Sequence, residues 1–373
     1  MNFEIMGLGL AQPLGCANQS EMAAAAQACS AVDGRQQKLL SSLYRRTTVR
    51  RRHSVLLTEA GSNGGVGAAA GSGMLAFYPP ASGPTDRGPT TDERMHRYAE
   101  EAGQLACAAS KNAMEEARVS ASDIRQIVLV SCTGFSSPGV DFHLIDTLGL
   151  SSDVGRTIVG FMGCHGAMNG LRVARAVSAG LGDEGATLLC CVELCSLHFQ
   201  YGWDPQRVVA NALFGDGAAA IVGRSSKGHH PASLPEVVAD GSCVLPDSRD
   251  LMTWQIGDHG FEMTLSAKVP DLVRDNLASW IEPWLQTQGL NVHDVGGWAI
   301  HPGGPRVISA VEQALDLPRD AGRFSREVLE HCGNMSSPTV LFILDRLRQA
   351  ATPLPWVGLA FGPGLTIEAV LIR

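Results

Sequence analysis

The 373-residue chain predicts an α/β protein with a layered core. Three observations predict it. Short, continuously apolar runs alternate with helical patterns, the plan recurs in a second half, and 45% of the residues are hydrophobic, enough for a large buried core.

The elements follow in chain order. "MNFEIMGLGLAQPLGC" reads as a first strand and a Gly/Pro turn, and lacks the basic start of a signal peptide. Residues 61–74, "GSNGGVGAAAGSGM", read as a mobile surface loop. Apolar residues at helical spacing predict a helix over 97–117, and β-branched runs predict buried strands over 124–134 and 157–164. A helix is expected over 166–180, stopped by Gly180, with further buried strands at 186–194 and 216–223. The polar stretch 224–236 joins the halves, which divide the chain into 1–228 and 229–373. The second half opens with a helix pair, or one helix bent at Pro283, over 268–289. A strand over 295–304 carries His301, helices start near Pro305 and over 337–349, and 356–373 reads as strand, tight turn, strand.

Composition narrows the function classes. A net charge of −8 gives no general attraction to nucleic acid, and no run of 18 apolar residues predicts a membrane span. The ten cysteines contain no CxxC pair, and several lie inside apolar runs. They read as reduced thiols of a cytoplasmic protein, without zinc-ligand spacing.

Cys164, in "GFMGCHGAMNGLRVARA", follows a predicted strand and opens a predicted helix. The N–H groups of a helix start favour a thiolate, and the flanking glycines allow a sharp turn and close substrate approach. His301 ends a strand and Asn334 precedes a helix, each beside glycine. Singly, each residue reads as well as a core or capping residue. Together they allow two chemistries. His could deprotonate Cys to attack a peptide, although the flanking papain-type signature is absent. Alternatively, His and Asn could both donate to a carbonyl oxygen that becomes an enolate, as decarboxylative Claisen condensation requires.

"GFMGCHGAMNGLRVA", "LFGDGAAAIVG", "WAIHPGGP", "HCGNMSSPTVLFIL" and "AFGPGLTIE" closely resemble the type III polyketide synthases of the chalcone and stilbene synthase superfamily. The resemblance runs over most of the chain. It implies a five-layered αβαβα thiolase fold with two duplicated halves. It further implies that Cys164 takes an acyl group from a starter coenzyme A ester, while His301 and Asn334 hold malonyl-CoA and stabilise its enolate. Phe214 and Met263 fall at the two gatekeeper positions. Cys132, Thr133, Cys195, His198 and Ser336 fall around the acyl pocket, and Gly362 and Pro363 in the loop that shapes the cyclisation cavity. Small Cys195 resembles bacterial members and favours a fatty acyl starter with a pyrone or resorcinol product over an aromatic or small starter. Arg46 and Arg51, in the basic stretch 44–53, are the expected grips for coenzyme A phosphates. Ser137 and Pro138 mark a loop that reaches a partner subunit, so a homodimer is expected. No metal, prosthetic group, nucleic acid or integral membrane association is implied. A ketoacyl-carrier-protein synthase III, a cysteine hydrolase and a non-enzymatic acyl-CoA binder remain the rivals.

Overall fold

The structure, a computed structural model, describes residues 1–30, 33–57, 71–182, 185–227 and 234–373. The strands are β1 (Asn2–Ala11), β2 (Cys16–Asn18), β3 (Arg51–His53), β4 (Ile124–Ser131), β5 (Gly155–Gly160), β6 (Ala186–Leu194), β7 (Asp216–Ser226), β8 (Glu236–Val244), β9 (Met252–Gly257), β10 (Gly260–Leu265), β11 (Gly297–Ile300), β12 (Trp356–Gly362) and β13 (Thr366–Ile372). The helices are α1 (Gln19–Ser30), α2 (Gly34–Arg46), α3 (Gly71–Phe77), α4 (Thr91–Ala117), α5 (Val140–Leu148), α6 (Gly166–Leu181), α7 (Pro205–Leu213), α8 (Val269–Thr287), α9 (Pro305–Ala314), α10 (Arg323–Cys332) and α11 (Thr339–Gln349).

Nine strands are hydrogen-bonded in the order β11-β12-β13-β8-β1-β7-β6-β4-β5. Only two residue pairs, Phe3 with Val237 and Glu4 with Glu236, join β1 to β8. The sheet therefore behaves as two leaves. Strand parity shows how they are covered. Ile127 and Leu129 of β4 pack with α4, whereas Val128 and Val130 between them pack with α6 and α11. In the other leaf Val357 and Leu359 of β12 pack with α8 and α9, while Trp356 and Ala360 turn inward to the same α6–α11 cluster. The layers thus run helix, sheet, helix, sheet, helix, as the thiolase-like resemblance implies. Both faces of each leaf are buried, which is why its strands read as continuous apolar runs.

Several local expectations shift. The second predicted strand stops at Gly160 instead of reaching residue 164, because Phe161 (φ 60°) and Gly163 (φ 67°) turn the chain out of extended geometry. The helix expected over 97–117 starts earlier, at Thr91, where Thr90 and Glu93 form a reciprocal capping box. Gly182, at φ 61°, rather than Gly180 follows the end of α6. The stretch 268–289 forms one helix, α8 (Val269–Thr287), that carries Pro283 within it. The strand bearing His301 ends one residue before it, at Ile300. Of the loop expected over 61–74, residues 61–70 lie outside the described residues, and Gly71 onward belongs to α3. Residues 228–233 of the 224–236 connector also lie outside them.

β1 approaches α4 so closely that a Cβ at Gly9 would strike the backbone at Ala109 and Ala113. Replacing Gly9 by Val should therefore destabilise the fold by about 1–3 kcal/mol through overpacking. Thermal unfolding checks this, and a midpoint equal to wild type would contradict the packing of β1 on α4.

Candidate active site

After β5 the chain turns through Gly163 into a single 3₁₀ turn, Gly163–His165, that leads directly into α6. A Cβ at 163 would lie 2.9 Å from Pro363 Cδ, and its φ of +67° already favours glycine. Glycine lets Pro363 close over the turn. Cys164 is buried at the junction of two cavities, and its Sγ lies 3.9 Å from Asn334 Nδ2. Burial pushes the Cys164 thiol up to about 11; hydrogen bonds from Ser336 and then Asn334 pull it down by less. The thiolate expected from the helix start is therefore not the resting form. Desolvation outweighs the helix N-terminus here.

Asn334 lies just beyond α10, after Gly333 at φ 72°. Its backbone N–H donates to Leu213 O and its carbonyl accepts from Gly215 N, both at 2.9 Å, which pins it to the strand-like segment at Phe214. Its Oδ1 accepts from Ser336 N at 2.8 Å, so the amide nitrogen is the end presented to Cys164. Ser336 adopts φ 56°, a left-handed conformation a non-glycine residue enters at a cost. His301 follows β11, and its backbone N–H donates to Leu359 O at 2.8 Å. Its ring is fully buried, and among the described residues neither nitrogen has a hydrogen-bond partner. Burial, followed by the charge of His165, pushes His301 down to about 3, so its imidazole is neutral at physiological pH.

The inner cavity has a free volume of about 60 Å³. Cys132, Thr133, Cys195, His198, Phe214, Met263, Ser336 and Pro363 all line it. His198 is a framework group rather than a reactive one. Its Nδ1 accepts from Phe261 N at 2.9 Å, so Nε2–H donates to Thr133 O at 2.7 Å, and its ring stacks on Phe261 at 4.2 Å. Burial pushes it down to about 3. Gly362 does not reach the cavity; it backs onto the His165 ring, which a Cβ there would strike.

The outer cavity, about 520 Å³, meets the inner one at Cys164, Phe214, Met252 and Met263, and Asn334 also lines it. Its mouth carries Arg46 from α2 and Arg306 from α9. Arg51 does not line it: this side chain is exposed on the short strand β3. The basic stretch disperses because its residues fall on different faces. Arg50 pairs with Glu330 at 2.5 Å, and Arg52 is buried and donates to Asn211 O and Phe214 O at 2.6 Å each. Ser137 and Pro138 lie on the surface between β4 and α5.

Three contributors escaped the sequence reading. Arg52 fixes the Phe214 backbone. Arg306 supplies the second cation at the mouth. Glu193, fully buried on β6, accepts from Cys132 N (3.0 Å), Thr133 Oγ1 (2.7 Å) and Ser337 Oγ (2.6 Å), and so holds one wall of the inner cavity. A carboxylate inside the apolar run "ATLLCCVEL" was the visible signal for Glu193; nothing local marked the other two.

Because the thiol is raised and the imidazole is neutral, alkylation of Cys164 by iodoacetamide should climb steadily from pH 7 to pH 10. A rate that levels off below about pH 8, the ordinary thiol range, would show a resting thiolate instead.

The chalcone and stilbene synthase models match residues 2–226 with the N-terminal domain and 236–373 with the C-terminal domain. A 1,3,6,8-tetrahydroxynaphthalene synthase of Streptomyces peucetius subsp. caesius is 41% identical over 273 residues, covering 72% of each chain. The alpha-pyrone synthesis polyketide synthase-like Pks18 of Mycobacterium tuberculosis is 35% identical over 288 residues, covering 76% of this chain and 73% of that one. Among solved structures, PKS-I from the brown alga Ectocarpus siliculosus superimposes with a TM-score of 0.88 at 29% identity, over 100% of this chain and 98% of that one. A layered core of this topology, with cysteine and asparagine meeting between two cavities, agrees with those matches: the chain belongs to the chalcone and stilbene synthase family of type III polyketide synthases.

Proposed function

We propose that the protein is an acyltransferase that condenses malonyl-CoA with an acyl-CoA starter held on Cys164, repeats the extension, and closes the chain to a pyrone- or resorcinol-type product. The observation that carries this reading is a buried thiol facing a carboxamide nitrogen at 3.9 Å, where an inner pocket meets an outer one.

Neutral His301 takes the Cys164 proton as the sulfur attacks the starter thioester, and the coenzyme A thiolate leaves. In malonyl-CoA the bond between the carboxylate and the methylene carbon breaks. Carbon dioxide departs, and the electron pair moves onto the thioester oxygen. Asn334 Nδ2–H and a His301 N–H donate to that oxygen, each worth about 3–4 kcal/mol by analogy with other oxyanion donors. The enolate carbon then attacks the acyl-Cys164 carbonyl, and the C–S bond breaks to return the sulfur. The reaction calls for coenzyme A thioesters and no prosthetic group.

The lining of the inner arm supports the fatty acyl starter: its walls include Met22, Leu56, Leu57 and Met74, apolar and compliant. The 41% identical tetrahydroxynaphthalene synthase favours a second reading, an aromatic product, which is compatible with the alternative of an aromatic or small starter. Arg46 and Arg306 at the mouth suit the phosphates of coenzyme A. A homodimer fits the surface beside Ser137 and Pro138. Strand β5 is a sheet edge, and Phe135, Phe142 and Ile158 around it are 46%, 41% and 56% exposed.

Incubation with malonyl-CoA and short, aromatic and long acyl-CoAs, read by mass spectrometry, tests the reading and separates the two starters. Cys164→Ala should abolish chain extension while slow malonyl-CoA decarboxylation persists, because His301 and Asn334 remain. Full product formation by this variant would remove Cys164 as nucleophile. Met263→Phe, at the junction of the two cavities, should shorten the products; an identical product profile across all starters would count against its gating place.

A further inference from the structure

The proposed condensation leaves one buried polar feature unused. His165, Asn169, Arg172 and Arg175 recur along the central helix region at spacings of four and three, which places them on one stripe. The stripe faces the opposite leaf. His165 Nδ1 and Asn169 Oδ1 are 2.7 Å apart, and Asn169 Nδ2 donates to Glu368 Oε1 on β13 at 3.3 Å. Ser242 Oγ donates to the same oxygen at 2.7 Å. Arg172 bridges Glu368 and Asp240 at 2.5 and 2.6 Å, and Arg175 reaches Asp240 at 2.7 Å. His165, Asn169 and Glu368 are 3%, 8% and 3% exposed, so the chain is held away from water. Because Asn169 gives its N–H to a carboxylate, its oxygen faces His165, and His165 carries its proton on Nδ1.

This imidazole stands directly after Cys164. It backs onto Gly362, where an added Cβ would lie 2.7 Å from His165 Nε2, and the next residue, Pro363, lies over Gly163 on the other side of the same turn. A histidine that filled space alone would not need a three-residue hydrogen-bonded chain ending on a carboxylate, since burying that chain costs desolvation.

We infer that His165 is a positioning residue for the condensing centre: the Glu368–Asn169–His165 chain clamps its ring between the Cys164 turn and the end of β12, and so sets where the thiol points. This rests on the proposed role of Cys164. The test compares His165→Phe, which keeps a ring but loses the hydrogen bond, with His165→Gln, which can donate to Asn169 across one helical turn. In His165→Phe, condensation kcat should fall roughly tenfold to a hundredfold, as for a small misplacement of a reacting group, with KM for malonyl-CoA unchanged. Iodoacetamide alkylation of Cys164 should slow in parallel. His165→Gln should restore most of both rates. A space-filling role gives the reverse order, with Phe active and Gln poor, and either that order or equal loss in both variants overturns the inference. Should His165→Phe not fold, Asn169→Ser removes the partner while leaving the histidine; unchanged kcat there overturns it too. If wild type fails to decarboxylate malonyl-CoA, the proposed function fails, and the alkylation rates still decide the positioning role.

Discussion

Desolvation is the constraint on which the site depends. Cys164, His301 and Asn334 are at most 6% exposed, and burial drives the first two groups toward their neutral forms from opposite sides. A neutral thiol and a neutral imidazole are the stable resting forms in a low-dielectric interior, where a charge lacking its full set of hydrogen bonds is costly. Charge then needs to appear only when a thioester carbonyl can accept it. The same dryness strengthens each donor aimed at a developing oxyanion and protects a bound acyl-sulfur bond from water.

The fold supplies this environment by bringing two leaves against one pair of central helices. The turn carrying Cys164 comes from the first leaf; His301 and Asn334 follow elements of the second. Asn334 is fixed by exchanging backbone hydrogen bonds with residues 213 and 215, so the carboxamide and the Phe214 wall move as one unit. Arg52 donates to the Phe214 carbonyl from beneath, and Glu193 gathers Cys132, Thr133 and Ser337 from the side. Cavity shape is therefore held in part by two buried polar groups, Arg52 on backbone carbonyls and Glu193 on one backbone amide and two hydroxyls, an arrangement with less freedom than apolar packing alone.

Much of this was legible in the sequence, and the exceptions have physical reasons. Continuous apolar runs such as "ATLLCCVEL" identified strands covered on both faces, and glycine beside Cys164, His301 and Asn334 marked chain turns that bring reactive groups to element ends. Strand limits were less legible: Phe161 and Met162 continue the apolar run begun by Thr157, Ile158 and Val159, and only the positive φ at Phe161 and Gly163 reveals the bend. The arginine stretch could not be apportioned, because whether Arg46 meets a cavity, Arg51 solvent or Arg52 the core depends on contacts more than 150 residues away, such as Arg52 with Asn211, 159 residues along the chain. Ionisation was misjudged for a related reason. A helix start is a local feature, whereas burial is a property of the whole assembly of layers.

The seam strand β1 has a consequence for how the molecule assembles. It pairs with β7 in a register that sets Leu8 against Ile221, so its principal ladder partner lies over two hundred positions further along the polypeptide. Loop closure of that span must precede the reward from the ladder, which makes the step intrinsically slow. Until β7 has been synthesised, this ribbon of apolar residues and unpaired amides has no native neighbour on that side. Nascent chains in that interval are the species most prone to stick to one another, and chaperone dependence during synthesis is expected to concentrate there.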